Sequence, residues 1–344
     1  MKKKMKAALC PRPGEMVITE VDVPEPKEGE VLVEVRATGL CGSDVDGFLG
    51  RHPMIGYPII MGHECSGVIA AVGKNARGVH KGDAVVVEPF FTCKSCPSCL
   101  RGKYNLCKDL RIIGHQIPGS LAEYVLAEAR FAHPKPENLS FEEGAIAEPL
   151  SGSLHAVKRA GIGVGDFTVI IGCGTIGSFS LQHAKNAGAE VLIADVQDFK
   201  LSRARKLGAD HVLNVNREDL KAKVDELTGG LGADKVIEAV GLPETLVQTT
   251  KLVRRGGTIM LIGWSGNKTD QFDLTSVTLD ELTVLGTLGF CWDFPAALNL
   301  AGRGKVDLKS IISHKFPLEK TREAIELFQS GKDNAWKIII TYGK

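Results

Sequence analysis

"FTVIIGCGTIGSFSLQHAKN", residues 167–186, runs from an apolar stretch through three glycines into residues with helical spacing. Gly172, Gly174 and Gly177 form G-x-G-x-x-G directly between the two. In such a turn the first glycine permits the tight bend, the second lets backbone approach a pyrophosphate, and the third lets helix pack closely on strand. The helix then opens at Thr175 and Ile176, whose amide hydrogens point toward the phosphates. The pattern is weak alone. Asp195 strengthens it, because it closes the next apolar run, "AEVLIADV" (189–196), where a carboxylate accepts hydrogen bonds from ribose hydroxyls and repels a 2′-phosphate. NAD is therefore expected rather than NADP, with Lys200 also near enough to approach the ribose.

The texture around this motif is that of a doubly wound sheet. The runs "DKVIEAVG" (234–241), "GGTIMLIG" (256–263) and "LTVLGTLG" (282–289) alternate with helix-like stretches such as "LSRARKLGA" (201–209). Parallel strands covered by helices on both faces read as continuous Val/Ile/Leu runs. The last of these runs suits either an edge or an interior strand. Before residue 155 the pattern differs: "EVLVEVRATG" (30–39), "SGVIAAVG" (66–73) and "DAVVVEP" (83–89) are short β-like runs broken by Gly and Pro. The expected organisation is a mainly-β domain over 1–154 with a lobe at about 90–110, an α/β dinucleotide-binding domain over 155–290, and a tail over 291–344 returning to the first domain. That tail contains the amphipathic "LEKTREAIELFQSG" (318–331) and the apolar "AWKIIITY" (335–342), with no further βαβ unit expected.

Composition narrows the function. A chain of 344 residues is long enough for two domains. Lys+Arg 42 against Asp+Glu 41 gives net charge +1, which argues against a nucleic-acid partner. No run reaches the ~18 apolar residues of a membrane span, and "MKKKMKAALC" is followed by "PRPGE" rather than an apolar signal core. A cytoplasmic location is expected, where the nine cysteines stay reduced.

Four of those cysteines are close together. Cys93, Cys96, Cys99 and Cys107 form C-x₂-C-x₂-C-x₇-C, a spacing that lets one loop close a tetrahedral thiolate cage around Zn²⁺ with no position left for water. This is the layout of a structural site. An iron–sulfur cluster also uses four thiolates, and spacing alone does not separate the two. Other metal-capable residues lie far apart: Cys41 in "LCGSDVDG" (40–47), His63 and Glu64 in "MGHECSG" (61–67), and Glu148 in "AIAEPLSG" (145–152). Taken singly, each has an ordinary structural reading.

A resemblance joins them. The segments "GLCGSD", "YPIIMGHECSGVIAAVG", "KGDAVVVEP", the four-cysteine lobe, "GSLAEYV", "EEGAIAEPLSGSLHAVKRAGI", "GCGTIG" and "HKFPLEKTREAIELF" follow one another along nearly the whole chain. In these the chain resembles a zinc-dependent medium-chain dehydrogenase/reductase of the alcohol dehydrogenase superfamily, most closely its sorbitol/polyol dehydrogenase branch. The resemblance implies a Rossmann domain inserted into a GroES-like, mainly-β catalytic domain. It implies that Cys41, His63 and Glu64 ligate a catalytic Zn²⁺, that Glu148 sits beside it as water holder or exchanging ligand, and that Ser43 relays the alcohol proton. With the cysteine lobe this makes two zinc ions per chain, plus NAD. The implied reaction moves a hydride from a secondary alcohol of a polyol-like small molecule to NAD, with a homo-oligomer, tetramer or dimer, as the working form.

Two positions depart from the branch. Asp46 stands where it usually has a histidine that continues the proton relay, and Gly289–Phe290 replace an Arg–Tyr pair near the substrate. Sorbitol itself is therefore not favoured, and another sugar alcohol, a sugar-alcohol phosphate, a sugar acid and a smaller vicinal diol all remain in play. The alternative is a threonine or butanediol type of the same superfamily. A non-catalytic binder on this fold would lack the metal ligands. His115, in "IIGHQIPG", is placed to reach a substrate from a loop, although a lone loop histidine is more often simply solvated.

Overall fold

Uninterrupted apolar runs in the middle of the chain become the interior of a parallel sheet. The computed structural model describes residues 3–264, 266 and 268–343. It divides into two compact units, one of Met1–Glu148, Phe294–Gly304 and Leu308–Lys344, the other of Pro149–Asp293 and Lys305–Asp307. The sequence-level boundary at 154/155 falls inside the helix Ala147–Ala160.

In the second unit six strands lie in the order His211–Asn214, Glu190–Asp195, Phe167–Ile171, Ala233–Glu238, Val253–Leu261, Thr283–Gly286, and every neighbouring pair is parallel. Val169, Ile170, Leu192, Ile193, Val236, Ile237, Ile259 and Met260 are all 0% exposed, so both faces are covered, as the apolar runs require. The expected doubly wound sheet is thus present. The first strand, Phe167–Ile171, sits at its middle, and the winding reverses there, which opens a crevice at the strand's carboxyl end. "LTVLGTLG" supplies the edge strand Thr283–Gly286, half-buried at Val284 and Leu285. The strand His211–Asn214 has no long apolar run to announce it; two of its four residues are only partly buried.

The first unit is built from both ends of its chain segments. The long strand Glu30–Gly39 pairs antiparallel with Glu64–Val72, Tyr124–Glu128 and Lys337–Thr341. Gly39 consequently faces Glu64 on one side and Ile339 on the other. The tail corrects one expectation: Ile312–Pro317 and Lys337–Thr341 are parallel neighbours joined through the helix Thr321–Ser330, which is a further βαβ unit. "ISHKFP" hid it because this edge strand is only half-buried and carries Ser, His and Lys in place of an apolar run.

Candidate active site

Strand pairing in the first unit gathers residues that lie far apart in sequence. Cys41 follows the strand Glu30–Gly39 and caps the helix Gly42–Phe48, where its backbone N–H donates to Asp44 Oδ2 at 2.9 Å. Glu64 opens the partner strand opposite Gly39, with His63 just before it. One ligand atom each from Cys41, His63 and Glu64 lies within 4.8 Å of the others. Asp44, 0% exposed, also accepts from Gly62 N at 3.0 Å and stands 3.9 Å from His63 Nδ1, so one carboxylate organises both metal-capable loops.

Glu64 has a second partner. The Lys337 ammonium lies 2.6 Å from Glu64 Oε1 and 2.5 Å from Oε2, and it donates to the Leu40 carbonyl at 2.7 Å. Both side chains are buried, Lys337 at 1% and Glu64 at 0% exposure. Glycine at position 39 makes room for this pair: a Cβ there would come 2.3 Å from Glu64 Oε2 and displace the carboxylate. Sequence reasoning did not single out Lys337. Its one signal is a lysine within the apolar run "AWKIIITY", since a charged residue at a core position needs a buried counter-charge.

Glu148 lies outside the three-residue ligand group but acts on it. Burial raises its carboxyl to about 7, the positive His63 opposes this, and Glu64 adds to it. For His63, burial disfavours the charged ring, yet the hydrogen bond with Cys41 and the charges of Asp44, Cys41 and Glu148 outweigh it and raise the pKa well above 6.5. A cluster of thiol, imidazole and carboxylates that draws positive charge this strongly has the donor set of a divalent cation site, and Zn²⁺ accepts all three ligand types. Ser43 Oγ is buried without a partner. Asp46 forms an ion pair with Arg51 at 2.7 Å.

Of the two readings given for His115, the solvated one is corrected. It is 6% exposed, its ring centroid 5.2 Å from that of His63 and 4.7 Å from that of His52. Burial, then His63 and His52, push its pKa down to about 2, so the ring is neutral. The overlooked signal was the pair of glycines, Gly114 and Gly119, that bracket it in "GHQIPG": a Cβ at either would strike the backbone around Gly62, so the loop is pressed against the segment leading into His63.

The four lobe cysteines converge as their spacing suggested. Their sulfur atoms lie within 4.8 Å of one another, with Cys93–Cys107 at 3.5 Å and Cys93–Cys99 at 3.9 Å. A tetrahedron with Zn–S of ~2.3 Å has an edge of about 3.8 Å. Backbone N–H groups of Cys93 and Cys96 already point at Cys107 and Cys93 sulfurs, each at 3.3 Å, as a thiolate cage requires. Amides of Cys99 and Lys108 lower the Cys96 thiol to about 6. None of the nine cysteines is in a disulfide.

In the second unit Gly172 adopts φ +98, and a Cβ on Gly177 would stand 1.9 Å from the Gly172 carbonyl. Gly174 caps the helix Thr175–Asn186 with no side chain bonded to its first-turn amides and open space where a Cβ would stand. That cradle fits a pyrophosphate. Asp195 closes its strand, accepting from Cys173 N at 2.7 Å and Gln197 N at 2.9 Å, one bond per oxygen, which leaves lone pairs for a diol. Lys200 lies in the following helix, Asp198–Lys206. Gly289 has φ +55 and Phe290 is 0% exposed. Among the described residues no helix is long and apolar enough to cross a membrane.

Family models match segments of both units. Residues 27–137 fit the alcohol dehydrogenase GroES-like domain, and residues 175–303 fit the zinc-binding dehydrogenase domain. D-arabitol-phosphate dehydrogenase of Enterococcus avium is 35% identical over 97% of both chains. The chain belongs to the zinc-type medium-chain dehydrogenases, in their polyol dehydrogenase branch. It is therefore an oxidoreductase with a GroES-like catalytic unit and a Rossmann unit. Sorbitol dehydrogenase of Bacillus subtilis is 32% identical, covering 98% of this chain and 97% of its own. A zinc-binding dehydrogenase of Sinorhizobium meliloti solved with NADP superposes with TM-score 0.91 at 31% identity, over 99% of this dehydrogenase and 100% of its own chain. Zinc and a nicotinamide cofactor go with this family.

Proposed function

We propose that this dehydrogenase oxidises a secondary alcohol of a polyol-like substrate, a sugar alcohol, sugar-alcohol phosphate or sugar acid, to the ketone, with NAD as acceptor. The observation that carries the reading is the meeting of Cys41, His63 and Glu64 within 4.8 Å in a protein whose other unit bears the dinucleotide cradle. Sorbitol and arabitol phosphate are named as substrates of its relatives and support the class.

In this reading Cys41, His63 and Glu64 hold the catalytic zinc, with Glu148 beside them as alternate ligand or water holder. Bound there, the ion would supply Lewis acidity to the alcohol, and the nicotinamide would accept the hydride. Everything else falls to the chain. Lys337 fixes the Glu64 carboxylate, and Asp44 fixes both metal-bearing loops. Ser43, its hydroxyl buried and unpartnered, takes the alcohol proton, and Asp46 passes it outward beside Arg51. Gly172, Gly174, Thr175, Ile176 and Gly177 hold the pyrophosphate, and Asp195 with Lys200 holds the ribose and favours NAD. Cys93, Cys96, Cys99 and Cys107 hold a second, structural zinc. We further infer a cytoplasmic homo-oligomer, a dimer or tetramer.

An NAD⁺-coupled absorbance screen over polyols, polyol phosphates, aldonates, threonine and butanediol, with and without a chelator, tests this. NADH formation on polyols that chelation abolishes is expected, and Cys41→Ser should remove it from folded protein. Full turnover by Cys41→Ser would overturn the metal assignment.

A further inference from the structure

We propose that His115, backed by His52, is a specificity-determining residue that hydrogen-bonds a second hydroxyl of the substrate, beside the alcohol that reacts. The inference deepens the functional reading above and rests on it. Both ring nitrogens of His115 are buried with no hydrogen-bond partner among the described residues. An unmet buried polar group is costly, and native interiors rarely leave two on one side chain. A phenylalanine would fill similar space at no such cost, so filling space does not account for an imidazole here.

The loop is held where this cost arises. Gly114 takes φ +80 so that its backbone can lie against Gly62; a Cβ there would come 2.6 Å from the Gly62 carbonyl. Gln116 accepts from Ile112 N and donates to the Met54 carbonyl, each at 2.9 Å, tying the turn to the segment that carries His52. His52 Nδ1 accepts from Met54 N at 3.3 Å, which puts its own proton on Nε2. The His115 ring meets His63 edge-on at 65° without joining the ligand group of Cys41, His63 and Glu64. It is therefore beside the metal-capable residues rather than among them.

A neutral imidazole offers one donor and one acceptor. A hydroxyl is its complement, since it both gives and takes a hydrogen bond. A phosphate or carboxylate oxygen only accepts and would meet one nitrogen. An alkyl group would meet neither. The position thus selects an alcohol that carries a neighbouring hydroxyl over a simple alkyl alcohol.

The test compares 2,3-butanediol with 2-butanol, which differ by that one hydroxyl, as substrates of the zinc-loaded enzyme. His115→Phe should lower the diol-to-monool ratio of kcat/KM by about 10–100-fold, chiefly through KM for the diol. His115→Gln, which keeps a donor and an acceptor, should restore part of the ratio. An unchanged ratio, with both alcohols losing equally, overturns the proposal; His115→Leu gives the same reading should the Phe variant not fold. Calorimetry of sorbitol and 2,3-butanediol with zinc-loaded protein and NADH separates this inference from the reading beneath it. If the wild type turns over no alcohol, that reading fails, while at least tenfold weaker polyol binding by His115→Phe still supports the hydroxyl contact. Equal binding by both proteins, or none by the wild type, overturns it.

Discussion

Lys337 and Glu64, 273 residues apart in sequence, form an ion pair with both carboxylate oxygens engaged, at 2.6 and 2.5 Å, in a place where neither side chain meets solvent. Removing one partner of a buried pair typically costs about 3–5 kcal/mol, because the other charge is left uncompensated. Lys337→Met should therefore lower the melting temperature of the zinc-depleted protein markedly. Added zinc should recover a larger part of that loss than it adds to the wild type, since the metal then becomes the carboxylate's counter-charge. Equal zinc-induced shifts in the two proteins would show that Glu64 and the metal do not communicate.

Gly39→Ala puts a methyl 2.3 Å from Glu64 Oε2, closer than any real contact, at the end of a strand paired on both sides. The carboxylate must give way. Metal analysis should find about one zinc per chain in place of two, and alcohol oxidation should fall at least tenfold while NADH binding, read by fluorescence, persists.

Cys96→Ser opens the thiolate cage. Because binding a structural metal contributes directly to folding free energy, the variant should lose one zinc and melt at a lower temperature. Thermal scans with and without chelator check this: chelation should destabilise the wild type and move the variant far less.

Asp195→Ala removes the carboxylate that closes the second strand of the Rossmann unit. NAD turnover should fall about 10–100-fold while NADP is affected less, since a 2′-phosphate no longer meets a negative charge. The same loss for both cofactors in kcat/KM would sink the ribose assignment.

His183 carries a pH dependence of stability. It is 2% exposed, donates through Nε2 to the Leu150 carbonyl at 3.1 Å, and burial lowers its pKa to about 4. Its unfolded pKa is about 6.5, so between these values the unfolded chain binds the extra proton. Stability is then full above pH 6.5 and falls as the pH drops from 6.5 toward 4. His183→Gln should flatten that part of the denaturation-midpoint profile, and an identical slope in the two proteins would exclude the residue.

The α/β half was legible because its strands are buried on both faces, so Val169, Ile170 and their neighbours appear as continuous apolar runs, and because the glycines and Asp195 keep a fixed spacing. The four lobe cysteines were legible for the same reason, being local in sequence. The tail's βαβ unit was not, since "ISHKFP" is an edge strand with too little burial to impose a pattern. Cys41, His63 and Glu64 became a group only through resemblance; nothing local links residues that strand pairing brings together. Lys337 was missed, and His115 was weighed toward the solvated reading, on the same physical ground. A lone polar residue carries no periodicity, and its role rests on partners that only the fold supplies.

The pairing of Lys337–Thr341 with Glu30–Gly39 also orders events during synthesis. A ribosome makes Glu64 273 residues before the lysine that steadies it, so a nascent chain displays the thiol, imidazole and carboxylate before their scaffold is closed. A change that disturbs the strand Lys337–Thr341 would therefore be felt at a centre assembled from residues near positions 40 and 63.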